Sequence, residues 1–382
     1  MTMTDPSVPR IAALDALRGF ALGGIFAVNI AIMADPAGFA EGPVRAFEEM
    51  FLHNRFYVLF SFLFGYSLTL QFRSAERDGA SATARTVRRL LALVAIGTLH
   101  TVLLFTGDVL FGYGVIGFAL LALRGLRPRS ALRLAGVLYA ACLVLFVALS
   151  VARIVQSPPD AAQTAAENAA ALDAVRAGWG EAAAYRWADG VDRLAPTVVF
   201  GLLNVLPLFL VGLAAGKVRL LEDPARYLPH LPRVQAIGFG LGVPLSVLPV
   251  LLHVPHTEAL GYVSGPLLAA GYAATFLRLL HAWPALSGVF APAGRISATV
   301  YLAQSLIAAI AFTGYGFAQA GRWPDGAVLA FAAIVFVLQL AAARWYTRRF
   351  RYGPVEWVLR VATYGGASRV REHARTTVSG PA

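Results

Sequence analysis

The stretch TVVFGLLNVLPLFLVGLAAG, Thr197 to Gly216, runs its whole length without an ionisable side chain. A helix rises about 1.5 Å per residue and the hydrocarbon core of a bilayer is about 30 Å thick, so roughly twenty such residues make one membrane crossing. Five segments before it read the same way: Leu14 to Ala34, Phe51 to Leu70, Leu90 to Phe105, Val109 to Leu123 and Leu132 to Ala152. Four more follow it: Val234 to Leu252, Leu260 to Leu280, Ile296 to Phe317 and Ala327 to Arg344. The 382-residue chain is 58% hydrophobic and 14% charged, against roughly 25% charged in ordinary globular proteins. That balance excludes an ordinary soluble enzyme and a disordered chain, and the single cysteine, Cys142, excludes a disulfide scaffold. The expected fold class is an all-α polytopic membrane protein of about ten transmembrane helices, one transmembrane domain over residues 1–382.

Orientation follows from the arginines, because cytoplasmic loops keep Lys and Arg while translocated loops shed them. With alternating spans, the loops on one side carry 25 basic and 8 acidic residues, and those on the other carry 7 and 13. Both termini are therefore expected in the cytoplasm, in the multi-pass arrangement of a bacterial cytoplasmic (inner) membrane protein. The net charge of +11 invites a nucleic-acid reading, but these arginines flank helices as anchors to membrane lipids, so no nucleic-acid partner is expected. Asp15 and Arg18 interrupt the first span where the apolar region of a cleaved signal would lie, so this helix is expected to stay attached.

Residues 156–194 form the one long polar stretch between spans, alanine-rich, expected to be helical and extracytoplasmic. Trp179, Ala183 and Trp187 lie four apart on one face, which suits a helix at the interface; it reads either as a lid or as a connecting loop resting on headgroups. Residues 353–382 are expected as a cytoplasmic interfacial helix and tail, with Glu356 and Arg360 spaced to pair. Glycine pairs four apart, such as Gly19 with Gly23 and Gly212 with Gly216, let backbones approach closely. Pro207, Pro244, Pro249 and Pro266 fall in or near spans and should bend them.

An ionisable side chain near the bilayer centre costs roughly 2.5 to 3.5 kcal/mol on insertion scales, so each one calls for a partner or a function. His100 lies about 15 Å beyond Arg89 along a helix, close to the midplane, where a neutral imidazole can accept a proton from a nucleophile or simply bond to a neighbouring helix. Asp108 follows two turns later, and if the helix continues the two are about 12 Å apart, too far for a direct hydrogen bond. Asp15 and Arg18, three apart, can form an ion pair in the first turns of the membrane. Asn29 lies near the outer end of the same span, Arg55 opens the second, and Tyr301 and Gln304 belong to a polar stripe on the ninth; all four can line a substrate path or hold helices together. No zinc signature, Walker loop or nucleophile elbow appears, so no resident metal is expected.

Five motifs together resemble the YeiB-like family, known as domain of unknown function 418. They are LDALRGFALGGIFAVN (Leu14 to Asn29), FSFLFG (Phe60 to Gly65), HTVLLFTGDVLFGYGVIG (His100 to Gly117), GRISATVYLAQSLI (Gly294 to Ile307) and GPVEWVLR (Gly353 to Arg360). At its first helix the family is similar to membrane acyltransferases that carry an LDxLRG-type motif and move an acyl group from cytoplasmic acyl-CoA to an acceptor across the membrane. Two departures stand out. Asn29 occupies the place of a catalytic histidine in one branch of that group, and Val300 precedes Tyr301 where the YeiB-like pattern has Asn.

The resemblance implies a membrane-embedded acyltransferase, with acyl-CoA as co-substrate, no permanently bound cofactor and a small-molecule, lipid or glycan acceptor. His100 and Asp108, on the family's recurring histidine and GD motif, are the candidates for chemistry. Arg18, Arg88, Arg89 and Arg295 are the candidates for the phosphates of acyl-CoA. The alternatives are a transporter or exporter of a small amphiphile, its path lined by the same polar groups, and a lipid-binding scaffold.

Overall fold

The computed structural model describes residues 11–155, 161–252 and 258–364. The start of the 156–194 stretch and the end of the basic tail, with Arg369, Arg371 and Arg375, lie outside the described residues. In chain order the α-helices are α1 (Ala12–Ala34), α2 (Pro43–Phe47), α3 (Phe56–Arg77), α4 (Ala82–Leu103), α5 (Val109–Ala122), α6 (Pro128–Val155), α7 (Ala161–Arg176) and α8 (Trp179–Asp192). They continue with α9 (Leu194–Lys217), α10 (Pro224–Tyr227), α11 (Leu231–Leu251), α12 (Glu258–Ala282), α13 (Ala285–Arg295), α14 (Ser297–Phe312), α15 (Asp325–Arg349) and α16 (Pro354–Tyr364). No strand occurs among the described residues.

Seven of these helices are long and apolar enough to cross a membrane: α1, α4, α6, α9, α11, α12 and α15. The pair α13 and α14 meets the test together but is bent by 76° at Ile296. Two expected spans differ from this pattern. The Phe51 to Leu70 segment becomes α3, which starts five residues later behind a π-helical turn at Glu48–Leu52 and runs on to Arg77, taking up Gln71 and Arg73. The Val109 to Leu123 segment becomes α5, apolar throughout but only 14 residues long. By contrast, the segment expected from Leu90 opens at Ala82, because Ser81 caps the helix by accepting a hydrogen bond from the Ala84 amide at 3.2 Å.

The helices pack through backbone-to-backbone approaches that only glycine permits. A Cβ on Gly19 would overlap the Phe290 carbonyl, and one on Gly294 the Asp15 carbonyl, so α1 and α13 meet without intervening side chains. Gly65 and Gly212 do the same for α3 and α9. Of the apolar stretches of α1 and α9, 61% is buried, against 17% for α6, so the first two are enclosed by protein and the last lies largely on its surface. The four prolines lie inside α9, α11 and α12, and the sharp break falls at none of them. It falls at Ile296, where the Glu356 carboxylate of α16 accepts from the amides of Ala298 (2.8 Å) and Thr299 (3.2 Å) and from the Thr299 hydroxyl (2.6 Å). A carboxylate at a helix start satisfies donors that the helix itself leaves open, so α14 begins anew there. Glu356 is thereby engaged with α14, and Arg360 stacks instead on the rings of Tyr352 and Tyr364.

Candidate functional site

α4 ends at Leu103: the amides of Leu104 and Phe105 both donate to the His100 carbonyl, closing the helix. The chain then turns back, and Asp108 becomes the N-cap of α5, its Oδ2 accepting from the Phe111 amide at 2.6 Å. The other carboxylate oxygen, Oδ1, lies 2.8 Å from His100 Nδ1, with both side chains fully buried. The separation of about 12 Å expected for a continuing helix is thus corrected: the turn, with Gly97 opposite leaving room for Asp108, makes the contact direct. A carboxylate can only accept, so Nδ1 donates to Asp108, and in the neutral imidazole Nε2 bears the lone pair. That Nε2 is buried with no hydrogen-bond partner.

Tyr301 on α14 packs its ring against His100, centroids 5.2 Å apart, and its hydroxyl accepts from the Val109 amide at 3.4 Å. On its other side Tyr301 lines a cavity of about 400 Å³. The cavity is lined by Leu110, Tyr113 and Phe64 and by six arginines, Arg18, Arg85, Arg89, Arg295, Arg351 and Arg360. Its acidic lining residues are Asp15 and Glu356, which pair with Arg18 at 2.8 Å and with the start of α14. Arg89 Nε is buried without a hydrogen-bond acceptor, beside the like charge of Arg18. Arg88 is the exception among the expected arginines. It is exposed, its Nε turned to the Ala84 carbonyl, because neighbours on a helix point about 100° apart and α4 turns Arg89 to the cavity.

A second, larger cavity of about 1230 Å³ lies at the opposite ends of α1 and α3, lined by Arg55, Tyr57, Asn204 and Ser246, with Glu41, Glu48, Glu49 and Arg45 around it. There the Arg45 guanidinium is pushed above its ordinary value, chiefly by its hydrogen bond to Glu49. The two cavities come within a turn of each other on α3, where Tyr57 lines one and Phe60 the other. Tyr57 donates to Asn204 at 3.0 Å, while Tyr113, bonded to Ser61 at 2.6 Å, donates to the Tyr57 carbonyl at 3.3 Å. Neither Asn29 nor Gln304 lines either cavity; Gln304 is buried, with Nε2 on the Leu22 carbonyl at 3.5 Å. Over the C-terminal end of α4, buried Arg186 of α8 donates to the Leu103 carbonyl at 3.3 Å, and Tyr315 to the same oxygen at 2.8 Å. Trp179 and Trp187 of α8 stand exposed.

Sequence reading missed Tyr113, Ser61, Tyr57, Asn204, Arg85, Arg351 and Arg186 as contributors. The tyrosines and Asn204 carried a usable signal, being polar groups within apolar runs; the arginines are indistinguishable in sequence from membrane anchors.

These features describe a multi-pass α-helical membrane protein with a buried His–Asp pair beside a basic cavity. The family model "Heparan-alpha-glucosaminide N-acetyltransferase, catalytic" matches residues 10–171, which include α1, His100 and Asp108, and the model "Protein of unknown function (DUF418)" matches residues 215–366. The chain is 30% identical to "Uncharacterized protein YxaH" of Bacillus subtilis, over 93% of this chain and 94% of the relative. It is 28% identical to "Uncharacterized protein YeiB" of Escherichia coli, over 94% and 97%. This chain belongs to the YeiB-like family of membrane proteins, DUF418, with distant similarity to membrane acyltransferases.

Proposed function

We propose that this protein is an acyltransferase of the bacterial cytoplasmic membrane that accepts an acyl group from acyl-CoA at its cytoplasmic face and delivers it to a small-molecule, lipid or glycan acceptor. The observation that carries this reading is the cavity with six arginines about it whose lining residue Tyr301 rests on the His100–Asp108 pair. In this reading Arg18, Arg89 and Arg295, which line the cavity, hold the phosphates, for which a guanidinium fork is suited. The reaction asks an acceptor hydroxyl or amine to attack the thioester carbonyl, the C–S bond breaking and coenzyme A leaving as the thiol. His100 Nε2 takes the nucleophile's proton and returns one to the leaving sulfur, while Asp108 holds the ring in the tautomer that makes this work. Tyr301 is the wall that must rotate for the imidazole to meet the thioester.

In this reading α3 and α5 join the eight apolar units to make ten crossings, both termini lie in the cytoplasm, and α7 and α8 sit outside. The similarity to an N-acetyltransferase catalytic domain supports the reaction class. The test is saturable binding of acetyl-CoA to the purified protein in detergent, together with turnover by His100→Gln. Absence of binding, or an undiminished rate in that variant, overturns it. The transporter reading has one observation in its favour: cavities at opposite ends of α1 and α3 that approach within a turn, as alternating access requires. Substrate flux into liposomes without any acyl donor would favour that reading instead.

A further inference from the structure

Arg55 stands at the N-terminal cap position of α3, just after Asn54, whose φ of 62° sets the chain in the left-handed region. Its side chain is among the most deeply buried in the protein, the residue being 2% exposed. Its partners are all neutral. Nη1 donates to the His53 carbonyl; Nη2 faces the Met50 carbonyl at 3.2 Å, the Ser264 hydroxyl at 3.2 Å and the Ser246 hydroxyl. Nε has no acceptor.

Among the described residues no carboxylate is in ion-pair range of Arg55, because the nearby acids are engaged elsewhere. Glu48 bonds His53 Nδ1 at 3.0 Å, and Glu49 bonds Arg45 Nε at 2.8 Å. A guanidinium taken out of water with no carboxylate in direct contact is unfavourable, and the N-terminal end of α3 adds a partial positive charge of its own. Arg55 lines the larger cavity, whose volume exceeds the usual small-molecule range of roughly 300 to 1,000 Å³. The walls around Arg55 are mixed: Phe146, Phe200, Leu245 and Leu260 are apolar, while Glu41, Glu48 and Glu49 disfavour ligands of high negative charge.

We propose that the larger cavity is a binding site for an anionic oxygen group, a phosphodiester, phosphate or carboxylate, whose oxygens accept from Arg55. The chemistry is shared by a phospholipid headgroup and a free small anion. This site is separate from the arginine-lined cavity and stands whether or not that cavity binds acyl-CoA.

The experiment measures binding of phosphatidylglycerol to the whole protein in neutral maltoside micelles by native mass spectrometry, with dioleoylglycerol as the uncharged control and inorganic phosphate as competitor. Saturable binding of the anionic lipid is expected, at least tenfold weaker in Arg55→Gln, restored in part by Arg55→Lys, and unchanged in Arg88→Gln, an exposed arginine that lines neither cavity. Displacement by millimolar inorganic phosphate assigns the site to a free anion; resistance to it assigns it to a headgroup. Should Arg55→Gln fail to fold, Ser246→Trp, which fills the space against the guanidinium while keeping its charge, is expected to abolish binding. Equal binding of the uncharged control, or undiminished binding in the Arg55→Gln or Ser246→Trp protein, overturns the proposal.

Discussion

The Nδ1 atom of His100 lies 2.8 Å from an Asp108 carboxylate oxygen whose twin caps the next helix at the Phe111 amide. One side chain thus sets both the tautomer of the histidine and the start of α5. Asp108→Ala should lower the thermal unfolding midpoint in detergent, by loss of a cap of about 1 kcal/mol and by leaving a buried imidazole donor unpaired at about 1 to 3 kcal/mol. Asp108→Asn keeps the cap oxygen and should unfold closer to wild type, while its NH2, able only to donate to Nδ1, selects the opposite tautomer with the proton on Nε2. Equal midpoints for the alanine variant and wild type would contradict the dual role.

Arg88 and Arg89 are adjacent, and only the second faces the basic cavity. Arg89→Gln should weaken coenzyme A binding by about tenfold, the scale of a lost charge-assisted contact of 1.4 kcal/mol. Arg88→Gln should leave it unchanged. Isothermal titration of the two purified variants reads the difference, and parallel losses would show that the charge acts only at long range.

The α3 and α9 contact offers a packing test. Gly65→Val places a side chain into the Phe209 backbone and should reduce the yield of folded protein sharply, since overpacking costs about 1 to 3 kcal/mol or more. Gly240, with open space around it, should accept Ala with little change in the same expression and size-exclusion assay.

Glu356 joins α16 to the start of α14 by three hydrogen bonds. Glu356→Ala should release α16 from the cavity, seen as faster limited proteolysis between Arg351 and Tyr364 and a lowered unfolding midpoint. Cleavage at the wild-type rate would mean that the apolar face at Leu359 holds the helix alone.

Orientation can be read chemically because Cys142 is the single cysteine and is buried. In a Cys142→Ser background, Trp187→Cys should react with a membrane-impermeant maleimide on intact cells and Arg349→Cys only after lysis. The reverse pattern would invert the proposed topology.

Much of this protein is local in origin. Each apolar run such as Thr197 to Gly216 must satisfy its own backbone inside lipid, so helix and bilayer thickness together dictate its length wherever its neighbours lie. The Asp15–Arg18 pair was equally legible, because three residues apart on a helix are neighbours by geometry alone. The approximate extent of most helices, the all-α class and the family motifs all belong to this level.

The site belongs to another. Whether His100 meets Asp108 depended on α4 stopping at Leu103 and the chain doubling back, a choice made by packing against Gly97, Tyr301 and Arg186 rather than by spacing. The cavity depended on α16 closing over α4 and α14 from the far end of the chain. Composition and periodicity determined that these residues would be buried in helices; only the tertiary arrangement decided which of them touch, because burial is a property of each segment and contact is a property of pairs that the sequence separates widely.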